Sequence, residues 1–293
     1  MKKYVAASLI RRPMSVSAAI GLSLVIVALA PAPAAAQNPA PAYKAPRLKG
    51  TANPDLNGVW QSLNEGNWDI QAHAAQPGPP QFGALYAEPA GPGIVEGNDI
   101  PYQPLALEQK KKNFEERFVR KVRDGIRDEP LDPEAKCYMP GVPRANYMPF
   151  PFQIVQGNDT MIFAYTYAAA TRIIHMNKAE QPPADSYMGW STGHWEGDTL
   201  VIDVTGFNEN TWFDRAGNFH SDALHVVERY KPTSPDVIRY EATIEDSKVF
   251  TRSWKISFPL YRRLDQRAQL MEFKCVPFAE ELLYGHLRKQ SGK

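Results

Sequence analysis

From Phe150 to Cys275 the chain repeats one kind of unit: a run of aromatic and β-branched residues, a short polar turn, and a second such run. FPFQIVQ, the turn GND and TMIFAYTYAAATRIIHM open the series. STGHW, EGDT and LVIDVTGF follow, then LHVVERY, KPTSPD and VIRYEATIED, and finally VFTRSWKISF and QLMEFKC. Such residues suit a pleated, half-buried surface, and turns this short join antiparallel neighbours. Consecutive hairpins at this spacing predict a mainly β fold, an antiparallel meander closed into a barrel or strongly curved sheet.

What precedes the hairpins is different. Residues 37–104 are rich in Pro, Gly, Ala and Asn, with QPGPP and EPAGPGI as loop signals, so an extended, irregular arm is expected; DLNGVWQS is its one strand-like run. Between Leu105 and Ile126 the spacing of Leu107, Phe114, Phe118, Val119, Val122 and Ile126 predicts an amphipathic helix, stopped by Gly125 and Pro130. FAEELLYGHLRK reads as a short C-terminal helix. The expected organisation is a signal segment over 1–36, an arm with its helix over 37–135, and a barrel domain over 136–293.

The signal reading rests on MKKYVAASLIRRP, an apolar run from about Ala18 to Ala30, and Ala34-Ala35-Ala36 as a cleavage site; the run is short for a membrane span. Export by the general pathway is expected, with Arg11-Arg12 leaving the twin-arginine route open. A periplasmic or secreted location follows, with no integral membrane span. Losing residues 1–36 removes Lys2, Lys3, Arg11 and Arg12 and no acid, so 33 basic residues against 32 acidic become 29 against 32. A near-neutral, mixed-sign chain offers nothing to nucleic acid or anionic lipid. In an exported chain, Cys137 and Cys275 are expected to form a disulfide; two buried free thiols are the alternative.

GHWEGDTLVIDVTGFNENTW, HSDALHVVERY, YEATIED and FTRSW, in that order, resemble a family of exported bacterial proteins sharing G-x-W-E-G-D-T-L-V-V-[ED]-T-T-x-F-N-x-x-T-W and H-[ST]-x-x-L-H-V-x-E-R-F. The likeness runs from Cys137 to Cys275, and KCVPFAEELLYG departs from the pattern after the last cysteine. Gly58-Val59-Trp60 is similar to the G-x-W that opens the first strand of lipocalin-like barrels, which implies a calycin-like barrel.

Gly189-Trp190-Ser191-Thr192-Gly193 matches G-x-S-x-G. A nucleophile elbow requires a strand before the serine and a helix after it; here a turn and another strand follow, so Ser191 is not expected to be a nucleophile. The catalytic candidates are His220, His225 and Asp214, since a loop carrying Trp212, Asp214, His220 and Asp222 leads straight to His225 and can set an imidazole beside a carboxylate; the alternative is that Asp214 and Asn218 cap the loop backbone and His220 bonds a carbonyl there. Glu228 has an ordinary account as a cross-strand partner of Arg239, with Arg229, Glu241 and Glu245 as an exterior ladder. Trp190, Trp212 and Tyr240 are candidate pocket walls, and Arg144 and Arg172 candidate anchors for a carboxylate or phenolate. His194, Asp214, His220 and His225 are acceptable metal ligands, but no spacing fixes a geometry, so no metal is assigned. No dinucleotide, P-loop, haem or flavin motif is present, and no cofactor is expected.

The expected function is therefore cofactor-independent acid–base catalysis (a lyase, isomerase or hydrolase) on a small aromatic or terpenoid-like compound. The alternatives are a lipocalin-like carrier of an apolar molecule in the same barrel, and an envelope protein whose barrel is filled. The sequence sets no oligomeric state.

Overall fold

The computed structural model describes residues 43–78, 86–117, 122–123, 126–127, 132–178, 180–277 and 279–284. The signal segment over 1–36 lies outside the described residues, as do Phe118 and Val119 of the expected helix. Among the described residues no helix is long and apolar enough to cross a membrane.

The hairpin language becomes a closed barrel of nine strands. β1 (Gly58–Ser62) comes from the arm, and β4 (Phe152–Gln156) to β11 (Trp254–Arg262) supply the rest: β5 (Thr160–Tyr165), β6 (Thr171–Met176), β7 (Trp190–Glu196), β8 (Thr199–Thr205), β9 (His225–Ser234) and β10 (Val237–Glu245). Strands β4 to β11 neighbour one another in chain order, and β1 closes the ring by pairing with both β11 and β4. Closure leaves no free edge.

Two details depart from a plain meander. The aromatic run after Thr160 is not one strand: a tight turn at Tyr167–Ala169, with Ala168 and Ala169 at positive φ, folds it into β5 and β6. The β6–β7 pair is parallel, Ile174 opposite Ser191. All other barrel pairs are antiparallel.

Period-2 alternation sorts the side chains. Val226, Glu228 and Tyr230 of β9, Ile238, Tyr240, Ala242 and Ile244 of β10, and Trp254, Ile256, Phe258 and Leu260 of β11 are buried. Phe152, Phe163, Arg172 and Ile202 meet them from the other strands. Aromatic contacts Phe163–Tyr230, Tyr230–Tyr240 and Tyr240–Phe258 run through this core at 5.4, 5.0 and 4.8 Å.

The arm helix α1 (Pro104–Glu116) is shorter than the expected 105–126; Val122–Arg123 and Ile126–Arg127 pair instead as the small strands β2 and β3. Its buried face is also not the expected one. Ala106 and Asn113 are buried, whereas Leu107 and Phe114 are 40% and 37% exposed. Asn113 Nδ2 donates to the carbonyl of Gly217, and a Cβ on Gly217, at φ +83°, would lie 2.8 Å from Asn113 Cβ; a polar, close contact has displaced the apolar stripe. The C-terminal helix α2 spans Ala279–Tyr284. Cys137 and Cys275 form a disulfide, with Cα atoms 5.7 Å apart across 138 positions of sequence.

Candidate functional site

Two buried polar assemblies stand out, one in the barrel and one where the arm meets the loop Thr211–Ser221. In the barrel, Arg172 on β6 donates through Nε to Ser191 Oγ at 2.7 Å and pairs through Nη2 with Glu228 on β9. Glu228 Oε1 accepts from Asn146 Nδ2, Tyr230 OH and Tyr240 OH at 2.9, 3.0 and 2.8 Å, and Tyr165 OH donates to Asn146 Oδ1. Burial disfavours the Arg172 charge, but Glu228 and the phenols around it raise its pKa; burial also raises those of Tyr165, Tyr230 and Tyr240. Every phenol is already a donor here, and the assembly forms a polar plug in which Arg172 Nη1 is buried without a hydrogen-bond partner.

The second assembly is built from local turn chemistry. Glu65 accepts the amides of Trp68 and Asp69, closing a turn in NEGNWDI. Across from it, Asp214 caps its own loop: Oδ1 accepts Asn218 N at 3.1 Å, and Oδ2 accepts Asn218 Nδ2 at 2.6 Å. The two loops are then stitched together, Ile70 N donating to Asp214 Oδ2 at 3.0 Å and Arg215 N to Asn67 O at 2.9 Å. Tyr102 OH donates to Asn218 Oδ1 at 3.0 Å.

Asp214 is wholly buried, and no Lys or Arg among the described residues bonds its carboxylate. Burial and the neighbouring Asp69 push its carboxyl up to about 7, against the pull of its Asn218 and Ile70 bonds. Burial likewise raises Asp69, opposed by its bond from Gln71 N and by the charges of Lys110 and His73. Burial disfavours the charged form of both carboxyls, and the charge of Asp69 further disfavours ionisation of Asp214. Asp69 is half-buried, whereas Asp214 is not exposed at all.

A brace of ion pairs holds these loops from outside. Glu134 accepts Arg215 Nε and Nη2, both at 2.7 Å, and also Arg144 Nη2 and Asn67 Nδ2. Burial would raise the Glu134 carboxyl, but Arg215 and Arg144 hold it down at about 2.

The predicted residues are distributed between these regions and the barrel exterior. Asp214 is in the second assembly but orients no histidine. His220 is buried beside the loop, with Nε2 2.6 Å from Thr211 Oγ1 and Nδ1 2.9 Å from the Ser221 carbonyl; burial lowers its pKa. His225 is on the barrel exterior, because alternation gives the interior to Val226 and Glu228; its partners are Asp203 at 2.9 Å and Glu245 at 3.3 Å. In place of the expected His–Asp214 pair, Asp214 bonds Asn218 and Ile70. Trp190 stacks on His175 at 4.1 Å, facing away from the barrel core where its neighbour Ser191 points. Trp212 is buried in a bridge to Phe219, Tyr240 belongs to the polar plug, Arg144 closes onto Asn67, Glu134 and Asp132, and Arg172 holds Glu228. Ser191 is 1% exposed on a strand, as the absence of an elbow required.

Glu228 overturns its ordinary account, being interior rather than paired with Arg239; Arg239 instead lies 3.4 Å from Glu241. Residues that sequence reasoning missed are Asp69, Trp68, Tyr102 and Glu134, whereas the expected capping by Asp214 and Asn218 and the His220 bond to a carbonyl are both present. Asp69 stands 145 positions before Asp214 in a stretch that reads only as loop, so no local spacing joins them. Among the described residues no group of three or more His, Cys, Asp or Glu is arranged to hold a metal ion. His225, Asp203 and Glu245 do not form one, since the two carboxylates engage different ring nitrogens. No protein-family model matches the chain, and no curated protein matches it.

Proposed function

We propose that this protein is an exported, cofactor-independent acid–base enzyme, a lyase, isomerase or hydrolase acting on a small aromatic or terpenoid-like compound, in which Asp214 and Asp69 handle the proton. The observation that carries the reading is the arrangement of Asp214: a carboxyl wholly buried, fixed by three N–H donors and bonded to no Lys or Arg among the described residues, with burial and the charge of the half-buried Asp69 raising its pKa. A carboxyl that titrates near neutral pH is matched to general acid–base work. Asp214 donates in its acid form, Asp69 accepts, and Asn218 and Ile70 keep the donor from turning away.

A carrier reading draws less support. A lipocalin-like carrier needs apolar walls around an open lumen, whereas the described lumen holds the Arg172–Glu228 pair and the rings of Phe163, Tyr230 and Tyr240. A cleft of about 140 Å³, between Tyr43, Trp60, Pro232, Pro235 and Arg262, lies away from both carboxyls. The disulfide supports export, since such bridges persist in oxidising compartments.

The test is turnover of a pool of small aromatic and terpenoid compounds, followed by mass spectrometry, for the mature protein and its Asp214→Asn and Asp69→Asn variants. Conversion by the wild type that falls at least a hundredfold in either variant is expected. Conversion that both variants retain would remove the pair from the chemistry, and retention of a compound without conversion would make the protein a carrier.

A further inference from the structure

Where the arm enters the barrel, the residues leading into β1 meet the β9–β10 turn and the end of β11, and between them lies a cleft of about 140 Å³. Tyr43, Leu56, Pro232, Pro235 and Ile238 give it apolar walls, and Asp55 and Arg262 are the charged residues of its lining. A cavity of about 150 Å³ holds benzene, so this cleft admits a single ring or a branched aliphatic side chain.

Both charged side chains are held in place by one residue, Asn57. Asp55 Oδ1 accepts Asn57 N and Nδ2 at 3.0 and 2.8 Å, and Arg262 Nη1 donates to the Asn57 carbonyl. The guanidinium lies over the Trp60 ring, 4.2 Å from its centroid, and against Gly58, where a Cβ would stand 2.2 Å from Nη1. Its Nε donates to the Pro235 carbonyl at 3.3 Å and is 3.5 Å from Asp236 Oδ1. Each group keeps one atom free: Asp55 Oδ2 and Arg262 Nη2 bond nothing among the described residues, and both side chains are half-buried rather than sealed.

Asn57 illustrates what this pair can recognise. It offers its N–H to the carboxylate and its carbonyl to the guanidinium, from either side of one Cα. A free α-amino acid offers an ammonium and a carboxylate from one Cα with the same polarity, and charged partners make the stronger bonds. A simple anion gains Arg262 but meets Asp55 and Asp236, and a simple cation gains Asp55 but meets Arg262.

We infer that this cleft is a binding site for a small apolar α-amino acid, its ammonium on Asp55 Oδ2, its carboxylate on Arg262 Nη2 and its side chain against Leu56, Pro232 and Ile238. The site is separate from Asp214 and does not depend on the acid–base reading.

Isothermal titration calorimetry of the mature protein with L-leucine at neutral pH tests it, against 4-methylpentanoate, which lacks the ammonium, and 3-methylbutylamine, which lacks the carboxylate. One saturable site for L-leucine is expected, with each analogue at least about tenfold weaker. Asp55→Asn and Arg262→Gln should each weaken L-leucine by about tenfold or more. Arg262 also covers Trp60, so Ser234→Trp guards against loss of fold in that variant: it fills the cleft from its wall, leaves both charged groups in place and should abolish binding. Absence of saturable L-leucine binding, an analogue that binds as well as L-leucine, or binding that survives Ser234→Trp would each overturn the site.

Discussion

Arg172 and Glu228 face each other across the inside of the barrel, from β6 and β9, and their side chains are 1% and 0% exposed. Each is costly to leave alone. Arg172→Met strands a carboxylate that keeps only Asn146, Tyr230 and Tyr240 as donors, and is expected to destabilise by about 3–5 kcal/mol. Adding Glu228→Gln removes the stranded charge, so the double variant should lose less than the two single losses together. Urea denaturation of the four proteins measures this; strictly additive losses would mean that the pair is not coupled.

The bridge between Cys137 and Cys275 closes a loop of more than a hundred residues, which includes nearly all of the barrel. On a chain-entropy estimate its removal costs about 3–5 kcal/mol. It also holds the last described segment, where Phe273 packs on Phe150 and Tyr167 at 4.9 and 5.6 Å. Tyr167 OH donates to the Glu134 carbonyl, so the strap leans on the brace beside the acidic pair. A Cys137→Ser, Cys275→Ser double variant is expected to melt several degrees lower, with proteolysis beginning between residues 263 and 277. An unchanged midpoint would show that packing alone holds the strap.

The barrel was legible because a two-residue period and short turns are local signals, and β9 shows how far such a signal reaches. In LHVVERY alternation separates His225, Val227 and Arg229 from Val226, Glu228 and Tyr230, but it does not say which face is inside. That depends on pairing: Tyr230 opposite Tyr240 and Leu200 brings three apolar or aromatic residues onto one face. Glu228 goes in with them and His225 goes out. Asp214 was legible as a residue worth attention through its polar loop, whereas its partnership with Asp69 depends on how the arm folds back, which carries no period at all. The arm helix is present, but its buried face was misjudged for a related reason, since a contact between Asn113 and Gly217 outweighed the apolar stripe.

His225 carries a pH dependence whose sign is set by its two carboxylates. Burial disfavours its charge, but Asp203 on β8 and Glu245 on β10 more than offset this, so its pKa in the folded protein lies above the ordinary 6.5. The stability it contributes is fully present below pH 6.5 and is lost as pH rises through the raised value. The melting advantage of the wild type over His225→Gln should therefore be largest near pH 6 and shrink by pH 9. Catalysis should be indifferent to the change, because the ring faces away from the core; loss of turnover in His225→Gln at pH 6 and pH 9 alike would return this histidine to the active site.

Asp214 behaves in the opposite sense to an ordinary paired carboxylate. Its pKa is raised from 3.8 to about 7, so between those values the folded chain holds a proton that the unfolded chain has released. Stability from this group is then greatest at low pH and declines as pH climbs from 4 through 7, with Asp69, also raised, adding to the slope. Asp214→Asn cannot ionise, and it forfeits a hydrogen bond by turning an amide N–H donor toward neighbours that are themselves donors, so it should be less stable than wild type near pH 4.5. Raising the pH penalises only the wild type, and the difference should move in favour of Asp214→Asn by up to about 4 kcal/mol by pH 8. Chemical denaturation of both proteins at half-unit intervals from pH 4.5 to 8 reads this directly. Parallel profiles would mean that Asp214 ionises as readily in the folded chain as in the unfolded one, and the acid of the proposed pair would have to be sought elsewhere.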